Sequence, residues 1–186
     1  MPTHPPIPPT LTFRNGPNLH LLEPLTDFRQ CHGAEPPESR IVYKARLLSP
    51  SPHNDDNNTK GEPAECILKI KFQTANNSED GATSHPTAST ATHHELAALE
   101  RFRASSCAHA PHLIAFESRA QEGSEPQNPF PGGYVSYTAM STVPGKSLFD
   151  IGFWSLDEAE REGVRSGFLE ALRYAKALVF FFCSVL

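Results

Sequence analysis

Hydrophobic and polar positions alternate in "ECILKIKF", residues 65–72, and this pattern is typical of a β-strand. Successive strand side chains point to opposite faces, so Lys69 and Lys71 share a face with Ile67, while the other face is apolar. Two interpretations of the lysines stay open. The strand is either a solvated edge strand, or it covers a nucleotide cleft in which one lysine binds phosphate.

Three other segments, 39–48, 112–118 and 134–143, have strand patterns and end at turn-forming residues. With the helical segments described next, the predicted order is strand, strand, helix, strand, strand, helix. Strands that follow each other along the chain are expected to pair in antiparallel fashion. Low-complexity segments separate several of these elements.

Two segments have helical patterns. The first begins near His93, and its apolar residues Leu96, Leu99 and Phe102 fall on one stripe of a helix. The second carries an S-x-x-E capping pattern at 155–158 and predicts a helix from about residue 156 into the 170s.

Segments poor in apolar residues predict disorder and divide the chain. They are the Pro-rich N-terminus, 1–18, and two insertions, 49–64 and 73–92. The expected domain therefore covers 19–145 and contains both insertions. Residues 146–186 form a separate, largely helical C-terminal part.

Composition narrows the function classes. The chain of 186 residues has a net charge of −5, which argues against broad nucleic-acid binding. Its four cysteines are far apart and form no CxxC pair, so reduced intracellular thiols are expected and a metal site is not. The N-terminus lacks the apolar run of a signal peptide. A cytoplasmic or nuclear location is therefore predicted, without secretion.

The C-terminal "ALVFFFCSVL", 177–186, is almost entirely apolar but too short to span a bilayer, which needs about 20 residues. No membrane span is expected. Two interpretations stay open, a buried helix end or a surface that a partner covers.

The order of these motifs resembles the small lobe of the protein-kinase-like fold, above all the divergent fungal protein-kinase-like and aminoglycoside-phosphotransferase-like proteins. "IVYKARL" is similar to the second strand of that lobe, and "CILKIKF" to the third, V-A-I-K strand. "HELAALERF" resembles the helix whose glutamate pairs with the lysine of that strand.

The resemblance continues beyond the helix and covers about residues 39–176. "HLIAFES" is similar to the fourth strand, and "YVSYTAMSTVPGKSL" to the fifth strand and the hinge that follows it. It implies an α+β fold, in which a twisted antiparallel sheet of about five strands packs against one helix. A C-terminal helical segment, the start of a large lobe, would follow from residue 146.

By this resemblance Lys69 is the lysine that binds the α- and β-phosphates of ATP, although strand parity alone leaves Lys71 as an alternative. Geometry selects its partner. Successive helix residues turn by about 100°, so Glu95 borders the apolar stripe and Glu100 points to water. Glu95 is therefore expected to hold the lysine beside the phosphates.

The resemblance also implies contacts with adenine, and ATP as the cofactor. The hinge would offer backbone N–H and C=O groups to the edge of the base, from Met140, Ser141, Thr142 and Val143. Apolar side chains would cover the faces of the base, namely those of Val42, Ala45 and Ile67.

Departures from the family pattern limit the expected activity. No G-x-G-x-x-G precedes Val42, and Gly33 is the single glycine in that region. Phosphoryl transfer needs a catalytic Asp, a metal-binding Asn and a second Asp after the hinge. The chain has only Asp150 and Asp157 there, with no Asn after Asn128.

We therefore expect no phosphoryl transfer by this chain alone, and Mg²⁺ binding only if a large lobe is supplied. One alternative is a non-catalytic, pseudokinase-like interaction protein whose apolar C-terminal helix is covered by a partner chain. The other is a truncated gene product.

Overall fold

The structure is a computed structural model. It describes residues 7–31, 36–48, 64–74, 84–85, 87–121, 130 and 132–180. Most of the two predicted insertions, the first six residues and the end of the apolar C-terminus lie outside the described residues.

The described residues form seven strands and two α-helices. The strands are β1 (Thr10–Thr12), β2 (Asn18–Pro24), β3 (Arg29–Cys31), β4 (Glu38–Leu47), β5 (Glu65–Gln73), β6 (Leu113–Ala120) and β7 (Tyr134–Ser141). The helices are α1 (Thr90–Ala104) and α2 (Glu158–Phe180), and a short 3-10 helix, Phe153–Ser155, precedes α2.

The strands pair in one antiparallel sheet with the order β1-β2-β4-β5-β7-β6, and β3 pairs with β4 beside this path. The fold is therefore α+β, as predicted, with two strands more than expected. β1, β2 and β3 lie outside the four strand segments located in the sequence. β1 and β3 have three residues each, which is too short for an alternating pattern to be recognised. β1 also lies inside the N-terminal segment that was predicted to be disordered.

One face of the sheet forms the hydrophobic core. Buried apolar side chains of β1, β2, β4, β5 and β7 meet there: Leu11, Leu19, Ile41, Ala45, Cys66, Leu68, Ile70, Phe72, Val135 and Ala139, with Phe13 from the turn after β1. Alternation in β5 places Cys66, Leu68, Ile70 and Phe72 on this face, as the sequence predicts.

The sheet curls so that its two ends approach each other. The backbone N–H of Arg14, after β1, donates to the Glu117 carboxylate in β6 at 2.8 Å. The Arg119 guanidinium in β6 donates to the Thr12 carbonyl in β1 at 2.6 Å. These two hydrogen bonds connect β1 and the turn that follows it to β6, so the sheet curls around its hydrophobic core.

α1 packs on the opposite face of the sheet and buries Leu96 and Leu99. It begins at Thr90, three residues before the predicted start, because Ser89 caps it. The prediction of disorder over 73–92 is therefore wrong at its C-terminal end, where Ser89 and Thr92 are buried. The Ser89 hydroxyl accepts a hydrogen bond from the backbone N–H of Thr92 at 3.2 Å, which satisfies a free donor of the first turn.

The cap of α2 differs from the predicted Ser155 and Glu158. The Asp157 carboxylate accepts from the Glu160 backbone N–H at 2.8 Å, and the Glu160 carboxylate accepts from the Asp157 N–H at 3.1 Å. This is a capping box displaced by two residues, so α2 begins at Glu158. Within the described residues, neither helix is long and apolar enough to cross a membrane.

Candidate functional site

Lys69 lies in the middle of the sheet. Its strand, β5, is hydrogen-bonded to β4 on one side and to β7 on the other. Val42 in β4 and Thr138 in β7 stand directly opposite Lys69. The position of β5 excludes the interpretation of a solvated edge strand.

Lys69 and Glu95 form an ion pair between the sheet and α1. The Lys69 ammonium donates a hydrogen bond to Oε1 of Glu95, and the Lys69 side chain keeps 18% of its surface exposed. Glu95 occupies the side of α1 that the helical rotation predicts, whereas Glu100 is exposed. The structure therefore brings together the two residues on which the sequence interpretation depends.

Lys71 lies deeper under α1 than Lys69. Its ammonium is 3.1 Å from Oε2 of Glu95, donates to the Thr92 hydroxyl at 2.7 Å and is 3.6 Å from Oε2 of Glu38. Only 7% of its side-chain surface is exposed. Of the two lysines that parity left open, Lys69 is the more accessible to a ligand.

Glu38, beside Lys71, is a further charged residue of this group. It was not predicted as a site residue. Its Oε1 accepts hydrogen bonds from the Tyr134 hydroxyl at 2.5 Å, the Thr92 hydroxyl at 2.9 Å and the Ser89 backbone N–H at 3.3 Å. Glu38 is fully buried. Strand alternation places residues 38, 40 and 42 on one face of β4, but only the pairing of Val42 with Lys69 shows that this face belongs to the site.

The two carboxyl groups remain ionised although they are withdrawn from water. Burial raises the pKa of Glu95, but the hydrogen bonds and charges of Lys69 and Lys71 outweigh it, so the pKa lies below its ordinary value. Burial likewise raises the pKa of Glu38. Hydrogen bonds from Tyr134 and Ser89, together with the charge of Lys71, bring it below the ordinary value.

The residues predicted to cover adenine separate into two groups. Val42 and Ile67 lie on the face of Lys69. Met140, which was predicted to contact adenine through its backbone, stands directly opposite Ile67 on that face. Ala45 is fully buried in the core on the other face. It is three positions from Val42, and an odd spacing along a strand reverses the face, so the structure does not bring Ala45 to this site.

Of the four predicted hinge residues, Met140 and Ser141 are the last two residues of β7. The Ser141 backbone N–H donates to the His112 carbonyl at 3.0 Å, so it is already engaged within the sheet. Thr142 and Val143 lie beyond the strand and are exposed. Of the hinge positions, these two can present their backbone to a ligand without breaking a strand bond.

A cavity of about 450 Å³ adjoins the hinge segment. It is lined by the end of α1, the segment that follows α1, and the hinge, including Arg103, Cys107, His112, Ser141 and Thr142. Neither Lys69 nor Glu95 lines it. The ion pair of Lys69 and Glu95 therefore lies outside this cavity.

Across the part of the chain that the structure describes, no cluster of three His, Cys, Asp or Glu side chains could hold a metal ion. Comparisons of the sequence and the fold with protein-family models, curated proteins and solved structures found no match.

Proposed function

We propose that this chain is a kinase-like ATP-binding domain, corresponding to the small lobe of that fold. The observation that carries the proposal is the ion pair between Lys69, in a central strand, and Glu95, in the helix packed on it. In protein kinases a strand lysine that binds phosphate is paired in this way with a glutamate of the following helix.

The chemistry of the pair fits a phosphate ligand. A lysine side chain loses much rotational freedom when it binds an anion, and a carboxylate that holds it beforehand reduces that loss. Lys69 is half-buried yet still reachable from solvent. Val42 and Ile67, which lie on the same face and are partly exposed, supply apolar surface beside it for a base.

The proposed activity is binding without phosphoryl transfer by these residues. Both Asp residues after the hinge have local structural partners. Asp150 accepts a hydrogen bond from the Ser147 hydroxyl at 2.7 Å, and Asp157 caps α2. Neither is placed as a catalytic base or as a metal ligand beside Lys69.

Calorimetric titration with a non-hydrolysable ATP analogue, with and without Mg²⁺, tests the proposal. We expect the wild type to bind and Lys69→Met to lose at least tenfold in affinity, because a charge-assisted contact with phosphate is removed. The matched control is Lys44→Met. Lys44 lies on the same face of the sheet and forms an exposed ion pair with Glu65 at 2.9 Å.

The control should bind as tightly as the wild type. Equal affinities for the wild type, Lys69→Met and Lys44→Met would remove Lys69 from the site. Absence of binding by the wild type would reject the proposed function itself.

A second candidate function is protein binding through α2. This helix exposes the large apolar residues Phe168, Leu169, Leu172 and Tyr174, and the first three lie on one side of it. Exposed apolar surface of this kind marks interaction sites more often than free surface. This candidate would be favoured if the wild type binds no nucleotide but associates with another protein, and if replacing Phe168 and Leu172 by serine abolishes that association.

A further inference from the structure

Four charged side chains form a line between the sheet and α1, with alternating signs. We call Lys69, Glu95, Lys71 and Glu38, in this order, the charge row. Glu95 gives one carboxylate oxygen to each lysine, and Lys71 lies between two carboxylates. The formal charges of the four groups cancel, which permits their burial.

The two ends of the charge row differ. At the Glu38 end, α1, β4 and β7 enclose the carboxylate, and three donors from α1 and β7 occupy one of its oxygens. At the other end, Lys69 is a cation that remains partly open to solvent. An anion bound at Lys69 would continue the alternation, whereas the Glu38 end has no room for a ligand.

Thr92 connects the charge row to α1. Its hydroxyl accepts a hydrogen bond from Lys71 and donates one to Glu38, and its backbone N–H bonds to the Ser89 cap. Glu95 follows Thr92 by three residues, about one helical turn. The contacts that fix the first turn of α1 on the sheet therefore also fix the height and rotation of Glu95.

We propose that Glu38 and Lys71 are positioning residues, which hold Glu95 against Lys69 before any nucleotide binds. The inference rests on the proposed function, since it assigns these residues a role in preparing that site. All the contacts involved are between groups of the protein, and those that Lys71 and Glu38 make with each other and with Thr92 are buried, so they form without a ligand. The free-energy cost of ordering α1 and the Lys69 side chain on binding is therefore small.

The test uses the whole chain and two variants that separate positioning from charge. Glu38→Gln removes a negative charge, and Thr92→Val removes the connecting hydroxyl without changing any charge. If the charge row acted only through its electrostatic field, Glu38→Gln would bind the Mg²⁺–ATP analogue more tightly, because it removes a negative charge. Thr92→Val, which changes no charge, would then bind the analogue as the wild type does. Positioning predicts that both lose about tenfold in affinity, the equivalent of one hydrogen bond to a charged group.

A second measurement needs no nucleotide. The side-chain carboxyl ¹³C resonance of Glu95 is followed by NMR between pH 3 and 7 in the ligand-free proteins. Lys69 and Lys71 face Glu95 from β5, and Glu38 faces Lys71 from β4. If Glu95 moves away from the lysines, its pKa should rise in both variants. Loss of the negative charge at Glu38 alone would instead lower it.

Circular dichroism establishes that each variant is folded at the temperature used, and Lys44→Met again serves as the control. A raised Glu95 pKa in both variants supports the proposal even if the wild type binds no nucleotide, a result that would reject only the proposed function. An unchanged or lowered Glu95 pKa in Thr92→Val and Glu38→Gln would overturn the positioning role.

Discussion

Thr92 in α1 donates a hydrogen bond at 2.9 Å to Glu38 in β4, 54 positions earlier in the chain. The Tyr134 hydroxyl of β7 donates to the same carboxylate oxygen. Two strands and the helix that packs on them therefore meet at one buried oxygen atom. This point fixes the face of α1 that looks towards Lys69.

The first prediction concerns the Tyr134 hydroxyl. It donates to Glu38 and accepts from the Ser89 backbone N–H at 3.1 Å, and the tyrosine is fully buried. Tyr134→Phe should lower the free energy of unfolding by about 1–3 kcal/mol, because it leaves buried polar groups with fewer partners. Urea denaturation at pH 7 measures this difference.

Tyr174→Phe is the matched control, because Tyr174 is an exposed residue of α2. This substitution should change the stability by less than about 0.5 kcal/mol. Equal effects of the two substitutions would show that the Tyr134 hydroxyl does not stabilise the buried contact.

The second prediction concerns acid stability. The pKa values of Glu38 and Glu95 are both lowered in the folded protein, so the unfolded chain takes up protons at a higher pH than the folded one. Their contribution to stability is therefore complete above the ordinary glutamate value, about 4.3, and is lost as the pH falls through their folded pKa values. Unfolding free energies should be nearly level from pH 7 to pH 5 and decrease below that.

Glu95→Gln provides the comparison for this pH series. Without the Glu95 carboxylate, one of the two buried groups no longer titrates, so the variant should be less stable at pH 7 and lose less stability on acidification. Parallel pH curves for the wild type and Glu95→Gln would contradict the lowered pKa of Glu95.

Local periodicity accounts for the part of the site that was foreseen. Alternation in 65–72 correctly separates the core residues of β5 from Lys69 and Lys71. The 100° rotation of a helix correctly places Glu95 towards the sheet and Glu100 towards water. Both rules depend only on residues within one element, so the sequence contains the information.

Contacts between distant elements account for what was missed. Glu38 is recognised as a site residue only when the pairing of β4 with β5 and the packing of Thr92 and Tyr134 are known.

The prediction for Ala45 failed for a different reason. A resemblance assigned it beside Val42, although strand alternation already sends these two side chains to opposite faces.

The third prediction tests the core face of β5. Cys66 is fully buried, and burial raises the pKa of its thiol to about 11. At pH 8 only about 0.1% of such a thiol is the reactive thiolate. Iodoacetamide should therefore modify Cys66 much more slowly than the partly exposed Cys31, as mass spectrometry of digested protein would report.

In urea the difference between these two cysteines should disappear, because unfolding exposes both and restores ordinary thiol pKa values. Labelling of Cys66 as fast as Cys31 in the native protein would contradict the assignment of this face of β5 to the core.

The last prediction concerns the surface that precedes α2. Trp154 is the single tryptophan of the chain and is 83% exposed, and Phe149, in the same segment before α2, is 92% exposed. In dilute solution the fluorescence of Trp154 should have the emission maximum of an indole in water, and acrylamide should quench it readily.

If the surface around Trp154 and Phe149 is an interaction site between copies of the chain, as large exposed apolar groups indicate, the Trp154 emission should shift to shorter wavelength as the protein concentration rises. The same shift should be absent in a Phe149→Ser variant. A short-wavelength, protected emission at the lowest concentration, where sedimentation shows a monomer, would mean that the chain itself covers Trp154.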